Sequence, residues 1–345
     1  MGVDLRDLIS RRKVKLQDLS GRRIAIDGFN TLYQFLSIIR GIDGRPLMDK
    51  SGKVTSHLSG LLYRLSNLVE LGVVPVFVFD GEPPKLKRLE LQRREEVRRE
   101  ARVRYSKALR EGRTEEARTY AQATSRLTDY MLLDSERLLS LMGIPWVQAP
   151  SEGEAQAAHM ALKGDVWAAG SQDYDAMLFG APILVRNIAI TGRRKLPRKN
   201  VYLEVEPEVV ELKYVLEKLG IDRRQLVILG ILVGTDYNPD GVRGVGPKTA
   251  LGLVKEYSSL EEIRQKLKNG GEFPVDPEDL VKVFLEPEVT DRYSLEWHEP
   301  DMEGTVAFLC GERDFSEERV RKALEKMTCG LKQSSGRSTL EKWFM

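Results

Sequence analysis

The sequence predicts an α/β fold, a mostly parallel twisted sheet with helices on both faces. Short apolar, β-branched runs alternate along the chain with helical patterns, as strand–helix–strand units do. Two of those runs end in Asp-Gly, a dipeptide that suits a turn. With 345 residues, 41% of them hydrophobic, the chain can bury a sizeable core.

The elements follow in order. Arg22–Ile26 is the first strand and leads into Asp27-Gly28; Thr31–Ile38 and Val54–Leu71 are helical; Val73–Phe79 is the next strand and leads into Asp80-Gly81. Pro83-Pro84 opens a long helical stretch, broken near Gly112 and resumed to Met142. Its first half, Lys85 to Arg113, is nearly all charged; a helix polar all round has no apolar stripe to hold it, so this half projects from the body. The second half carries Leu127, Met131, Leu132, Leu138, Leu139 and Leu141 and docks back. Ile144–Val147, Asp165–Ala169, Ile183–Val185 and Val201–Val205 read as strands, with a helix over Glu154–Lys163. Helices return from Leu226, pass a Gly- and Pro-rich turn at 234–248, and continue to about Lys326. Gly330 to Arg337, rich in Gly, Ser and Lys, reads as a tether.

Net charge is +2, but its distribution is uneven. Lys85 to Arg113 holds twelve Lys or Arg against five Glu, a local balance of +7, which leaves about −5 for the rest. Cys310 and Cys329 form no CxxC pattern, so neither a disulfide framework nor a zinc site is expected. No run reaches the roughly eighteen apolar residues of a membrane span, and the N-terminus is too polar for a signal peptide. These features lead us to expect a soluble, intracellular protein.

Seven acidic residues stand where side chains would converge. Asp27 and Asp80 close two strands, and ligands of open α/β sheets bind beyond the carboxyl ends of strands. Glu152 and Glu154 open a helix, Asp173 and Asp175 follow a strand, and Asp236 ends an apolar helix beside Gly234. Singly, each has an ordinary explanation: Asp-Gly is a turn, and Ser151-x-x-Glu154 is a capping box. Together they would repel unless they took up protons or cations. Oxygen ligands select hard ions such as Mg²⁺ or Mn²⁺. Two such ions about 4 Å apart can hold both the attacking and the leaving oxygen of a phosphodiester. His57, His159 and His298 are scattered and take no role. Gly244-Val245-Gly246-Pro247-Lys248 offers close backbone approach and a helix N-terminus, which suits a phosphate.

Five blocks in this order carry a resemblance: Ile26-Asp27-Gly28; Val78-Phe79-Asp80-Gly81 with Pro83-Pro84; Ala149-Pro150-Ser151-Glu152-Gly153-Glu154-Ala155; Ser171-Gln172-Asp173-Tyr174-Asp175; and Gly234-Thr235-Asp236-Tyr237 followed by the Gly244–Lys248 turn. The chain resembles the flap endonucleases, structure-specific 5′ nucleases with a PIN-like core, over its whole length. The resemblance implies that the seven carboxylates hold two Mg²⁺, with Mn²⁺ able to substitute. It implies a helical arch insertion whose basic pair contacts the scissile phosphate. The matching residues are Lys87 and Arg94, seven and fourteen positions after Asp80, a spacing of two and four helical turns. Tyr33 matches an aromatic residue that stacks on the unpaired nucleotide. Arg40 and Arg64 match basic residues along the substrate path, and Gly2 matches the mature N-terminus beside the site. Gly244, Gly246 and Lys248 belong to a helix-two-turn-helix element that grips duplex backbone and often holds K⁺. Asn238-Pro239-Asp240 widens that turn, so no side-chain ligand is assigned to the cation. Leu340, Trp343 and Phe344 resemble the box that docks sliding clamps, with Arg337 where Gln is expected.

The implied organisation is one nuclease domain over about 1–330. It comprises an N-terminal region (about 1–98), the arch (about 83–135), an internal region (about 116–258) with the helix-two-turn-helix at about 226–257, and a helical part over 258–328. A tail, 330–345, carries the clamp box. The implied activity is Mg²⁺-dependent cleavage of 5′ flaps, with 5′-3′ exonuclease activity, in DNA replication and repair, by a monomer. A 5′ exonuclease, a junction resolvase, a PIN-type ribonuclease and a non-catalytic DNA- or clamp-binding module are the rival readings. The short tail resembles archaeal members, for which the cytoplasm is expected; a eukaryotic source would make the protein nuclear.

Overall fold

The parallel strands at the centre of the main sheet are apolar on both faces, which is what a sheet covered on both sides requires. The computed structural model describes residues 2–41, 44–113, 116, 120, 126–190, 192–195, 202–267, 273 and 275–341. Among them the strands are β1 (Arg12–Lys13), β2 (Arg23–Asp27), β3 (Val74–Phe79), β4 (Trp146–Gln148), β5 (Ala168–Gly170), β6 (Ile183–Arg186), β7 (Gly192–Lys195), β8 (Tyr202–Val205) and β9 (Glu208–Glu211). Seven form one sheet in the order β1-β9-β6-β5-β2-β3-β4. The run from β6 to β4 is parallel, and β9 and β1 add antiparallel at one edge. The architecture is the mostly parallel, PIN-like one.

The helices are α1 (Gly28–Ile38), α2 (Ser56–Glu70), α3 (Arg88–Arg110), α4 (Asp129–Leu141), α5 (Gly153–Lys163), α6 (Asp175–Leu178), α7 (Leu212–Leu219), α8 (Arg223–Val233), α9 (Pro247–Glu256), α10 (Leu260–Lys266), α11 (Pro277–Leu285), α12 (Met302–Val306) and α13 (Glu317–Glu341). The alternation of strand side chains splits the core in two. Ala25, Val76, Val78, Val147 and Ala169 face one layer, with α5, α8 and α11. Ile24, Ile26, Phe77, Phe79 and Ala168 face the other, with α1, α2, α4 and α13. One strand thus serves both cores at period two.

The charged limb begins differently from its expected form. A 3-10 turn, Lys85–Lys87, precedes α3, so Lys87 stands before the helix rather than in it. Along α3 only Ala101 and Ala108 are buried among the described side chains, while Leu91, Val97 and Val103 are exposed. Its 23 residues make a limb about 35 Å long with no apolar stripe on the body. Gly112, at φ +68°, turns the chain, and α4 docks back through Met131, Leu138 and Leu139.

Two expectations change. The strand read at Val201–Val205 is β8, which leaves the main sheet and pairs antiparallel with β7. The connection between β7 and β8 is only residues 196–201, and a link so short allows only an antiparallel pair. The stretch read as a tether from Gly330 lies within α13. A Cβ on Gly330 would lie 2.2 Å from the Val69 carbonyl oxygen, so this glycine lets α13 pack against the end of α2.

Candidate metal centre

The carboxyl edge of the parallel strands collects the acids. Asp27 ends β2 opposite Val78 of β3, so Asp80, two residues further on, leaves the sheet next to it. Gly170 of β5 pairs with Ile26, and the chain then turns through Ser171–Tyr174 into α6 over the same edge. Arg186 fixes that turn: its Nε donates to the Gln172 carbonyl at 2.9 Å and its Nη1 to the Tyr174 hydroxyl at 2.8 Å. Asn30 Nδ2 donates to Asp173 Oδ2 at 3.1 Å, and the Val3 amide donates to Asp175 Oδ1 at 2.8 Å. Gly2 lies against the same pair. A Cβ there would come within 2.7 Å of both the Asp173 Cβ and Asp175 Oδ2.

The ordinary explanations hold only in part. Asp27 does cap α1, accepting the Asn30 amide at 3.0 Å, and Asp80 accepts the Gly153 amide at 2.7 Å. The capping box at Ser151 and Glu154 does not form: the N-cap of α5 is Glu152, with no side-chain cap. Glu154 turns inward, bonds Ser171, and keeps Oε1 buried without a hydrogen-bond partner among the described residues.

The electrostatics are those of crowded acids. Burial, then the charge of Asp80, holds the Asp27 carboxyl well above the usual range. Burial and Asp175 do the same to Glu154. Asp80 is pushed up to about 6 by burial and Glu152, and Asp175 to about 7 by burial, Asp236 and Asp173. Asp236 goes the other way: burial would raise it, but Lys87 and Arg94 outweigh burial.

Those two cations come from the charged limb. Lys87 Nζ lies 2.7 Å from Glu152 Oε2 and 3.0 Å from Asp236 Oδ2. Arg94 Nη2 donates to both oxygens of Asp236 at 2.7 Å. Residues 142 and 149 positions from Asp236 in sequence therefore meet it in space. Among the described residues no three His, Cys, Asp or Glu side chains close on one point as a finished metal site does. Like charges spread apart, and the two basic side chains lie among them. The donor set nonetheless fits a hard cation: oxygens only, buried, with an orphaned carboxylate oxygen on Glu154.

The other expected residues divide. Tyr33 on α1 carries the Arg98 guanidinium 5.3 Å from its ring centroid, with Arg98 Nη2 3.3 Å from its hydroxyl. Arg40 donates to the carbonyls of Ser37 at 3.2 Å and Gly44 at 3.0 Å. Arg64 is half-buried on α2, and its burial lowers its pKa. In the second turn after α8, Gly244 needs its φ of +82°, Gly246 caps α9, Pro247 opens it, and Lys248 is exposed. No atom lies within 4 Å of a Cβ built on either glycine, so the backbone there is open to a ligand. Leu340 is in α13 without a described side chain, and Trp343 and Phe344 lie outside the described residues.

Several contributors carry no sequence signal of their own. Asn30 and the Val3 amide hold acids from far along the chain. Arg93 pairs with Asp240 at 2.7 Å, tying α3 to the widened turn. Only its place one residue before Arg94 would have pointed to Arg93.

Two family models match. Residues 1–101 fit the XPG N-terminal domain and residues 143–236 the XPG I-region. The chain is 52% identical over 350 aligned residues to a protein of Staphylothermus marinus named Flap endonuclease 1, covering all of both chains. Its fold is similar to that of a flap endonuclease-1 from Methanococcus jannaschii, with a TM-score of 0.74 at 44% identity over 94% of this chain and 98% of that one. It is also similar to the catalytic core of Rad2 in complex with DNA substrate, with a TM-score of 0.71 at 25% identity over 95% of this chain and 100% of that one.

Proposed function

The chain belongs to the flap endonuclease family, and from that premise we propose that it hydrolyses the phosphodiester at the base of a DNA 5′ flap with two divalent cations held in its carboxylate cleft. The observation that carries this is the set of buried acids at one sheet edge, raised by burial and by one another, with an orphaned oxygen on Glu154. Asp27, Asp80, Glu152, Glu154, Asp173, Asp175 and Asp236 would hold the cations. Mg²⁺ or Mn²⁺ bound there would neutralise the phosphate and lower the pKa of the attacking water.

The residues do the rest. Lys87 and Arg94 reach the acids from the foot of the arch and present fixed positive charge where charge builds up on the scissile phosphate. Tyr33 offers an aromatic face to the unpaired nucleotide. Arg40 and Arg64 line the path of the substrate. The open backbone at Gly244 and Gly246, with Lys248, grips duplex phosphates without reading bases, and K⁺ is a candidate ligand of the same turn. The DNA substrate bound to the Rad2 core supports a DNA substrate here. The tail, through Leu340, Trp343 and Phe344, docks a sliding clamp by an apolar plug. None of the helices in the described residues is long and apolar enough to cross a membrane.

Cleavage of a 5′-labelled double-flap DNA tests the reading. A short 5′ product cut near the junction, formed only with Mg²⁺ or Mn²⁺, is expected. Tight binding without a cut in either metal would leave a DNA-binding role alone.

A further inference from the structure

Tyr237 follows the acid Asp236 and is 3% exposed. Its ring is fixed edge-on to Phe284 of α11, centroids 5.3 Å apart at 87°, and Phe284 in turn packs on Phe179 at 5.0 Å. Its amide lies 3.3 Å from Thr235 Oγ1. The ring lies 6.0 Å from Lys87 Nζ, the ammonium shared by Glu152 and Asp236. Its hydroxyl is buried and has no hydrogen-bond partner among the described residues.

A phenylalanine would fill this space without burying a hydroxyl, which is destabilising when left unsatisfied. Tyr237 lines a cavity of about 170 Å³. Ser151, Glu152, Glu286 and Glu288 share its wall, with Ala155, Phe179 and Val283 on the apolar side. A cavity this size, with several polar groups in its wall, has room for water and partners for it. The acids of the wall only accept; the phenol of Tyr237 donates, and so complements them.

We propose that Tyr237 is a positioning residue for the metal centre. Its hydroxyl is held as a donor for the Glu152 carboxylate, while its ring caps Lys87. Glu152 then presents its free oxygen to the cation in one orientation, and Lys87 is kept over the Glu152–Asp236 pair. This rests on the reading of Glu152 as a metal ligand. Losing an outer hydrogen bond of this kind weakens metal affinity by about 10- to 100-fold in known centres.

The test is Mn²⁺ binding to the full chain without DNA, followed by the electron paramagnetic resonance of free Mn²⁺. Wild type, Tyr237→Phe and Glu152→Gln are compared, with the Tm of each. Tyr237→Phe is expected to keep or raise the Tm, to weaken Mn²⁺ binding about 10-fold or more, and to recover flap cleavage as Mg²⁺ is raised. A Tyr237→Phe titration that overlays wild type, while Glu152→Gln weakens binding, overturns the role of Tyr237 alone. If Glu152→Gln also overlays wild type, Glu152 is not a ligand and the reading beneath the proposal fails first.

Discussion

At the scale of single residues, the centre is a balance between buried acids and two cations borrowed from the arch. Lys87 sits between Glu152 and Asp236, and Arg94 grips Asp236 with both contacts at 2.7 Å. Lys87→Met should lower the single-turnover cleavage rate by about 10²–10³, the usual cost of one fixed group that stabilises developing charge. A rate within twofold of wild type would remove Lys87 from the chemistry. The protonation of the acids gives a second expectation. Asp80 at about 6 and Asp175 at about 7 lie above the unfolded carboxylate range, so the folded chain holds extra protons from about pH 4 to 7. These two groups therefore favour the folded state in acid, and that contribution is lost as pH rises through 6 and 7. Cation binding must expel the same protons. Calorimetric titration with Mn²⁺ at pH 6, in two buffers of different ionisation heat, should show proton release that fades by pH 8. Buffer-independent heats at pH 6 would contradict the assignment. The acids themselves were legible in the sequence, because strand-end Asp and paired carboxylates stand out at fixed spacings. Their holders were not: Asn30 and the Val3 amide meet Asp173 and Asp175 from 143 and 172 positions away, and nothing local marks such a contact.

At the scale of elements, close approach is set by glycine. Gly330 lets α13 lie on the Val69 carbonyl, and Gly2 lets the N-terminal segment lie on Asp173 and Asp175. Gly330→Ala should destabilise the fold by about 1–3 kcal/mol through overpacking, read as a lower Tm with flap cleavage at moderate temperature retained. Gly2→Val should do the reverse, slowing cleavage with little change in Tm, because its added carbons meet two metal-site acids. The same glycines explain where sequence patterns misled. Gly330 with its Ser-rich neighbours suggests a tether by composition, yet close packing of two helices asks for the same residue. The strand cores were legible because each run is apolar on both faces. β1, β7 and β9 were not, since Arg12–Lys13, Gly192–Lys195 and Glu208–Glu211 are short and largely polar, and only their partners make them strands.

At the scale of the molecule, an acidic body carries a basic limb, and the two meet at the carboxyl edge of the parallel strands. The arch has no apolar stripe to dock it, and its foot is held by charge: Lys87 and Arg94 on the acids, Arg93 on Asp240, Arg98 over Tyr33. Partner choice follows from the same distribution, since phosphate contacts release counterions. Flap affinity should fall steeply with salt, and Lys248→Ala should reduce the log–log slope by roughly one unit for its lost phosphate contact. The limb's projection was legible from its charge alone. Its return onto the acids was legible only through the resemblance and the spacing of Lys87 and Arg94 from Asp80, since a long charged helix by itself gives no sign of which way it leans. If the carboxylates at this sheet edge hold the catalytic metals, Asp175→Asn is the substitution that must disable them. Asparagine keeps the size of Asp175 and its acceptor for the Val3 amide but removes a charge from the cluster. With flap binding equal to wild type, single-turnover cleavage in Mg²⁺ is predicted to fall by at least about 10². Cleavage at the wild-type rate would mean that the acids at this sheet edge do not hold the catalytic metals.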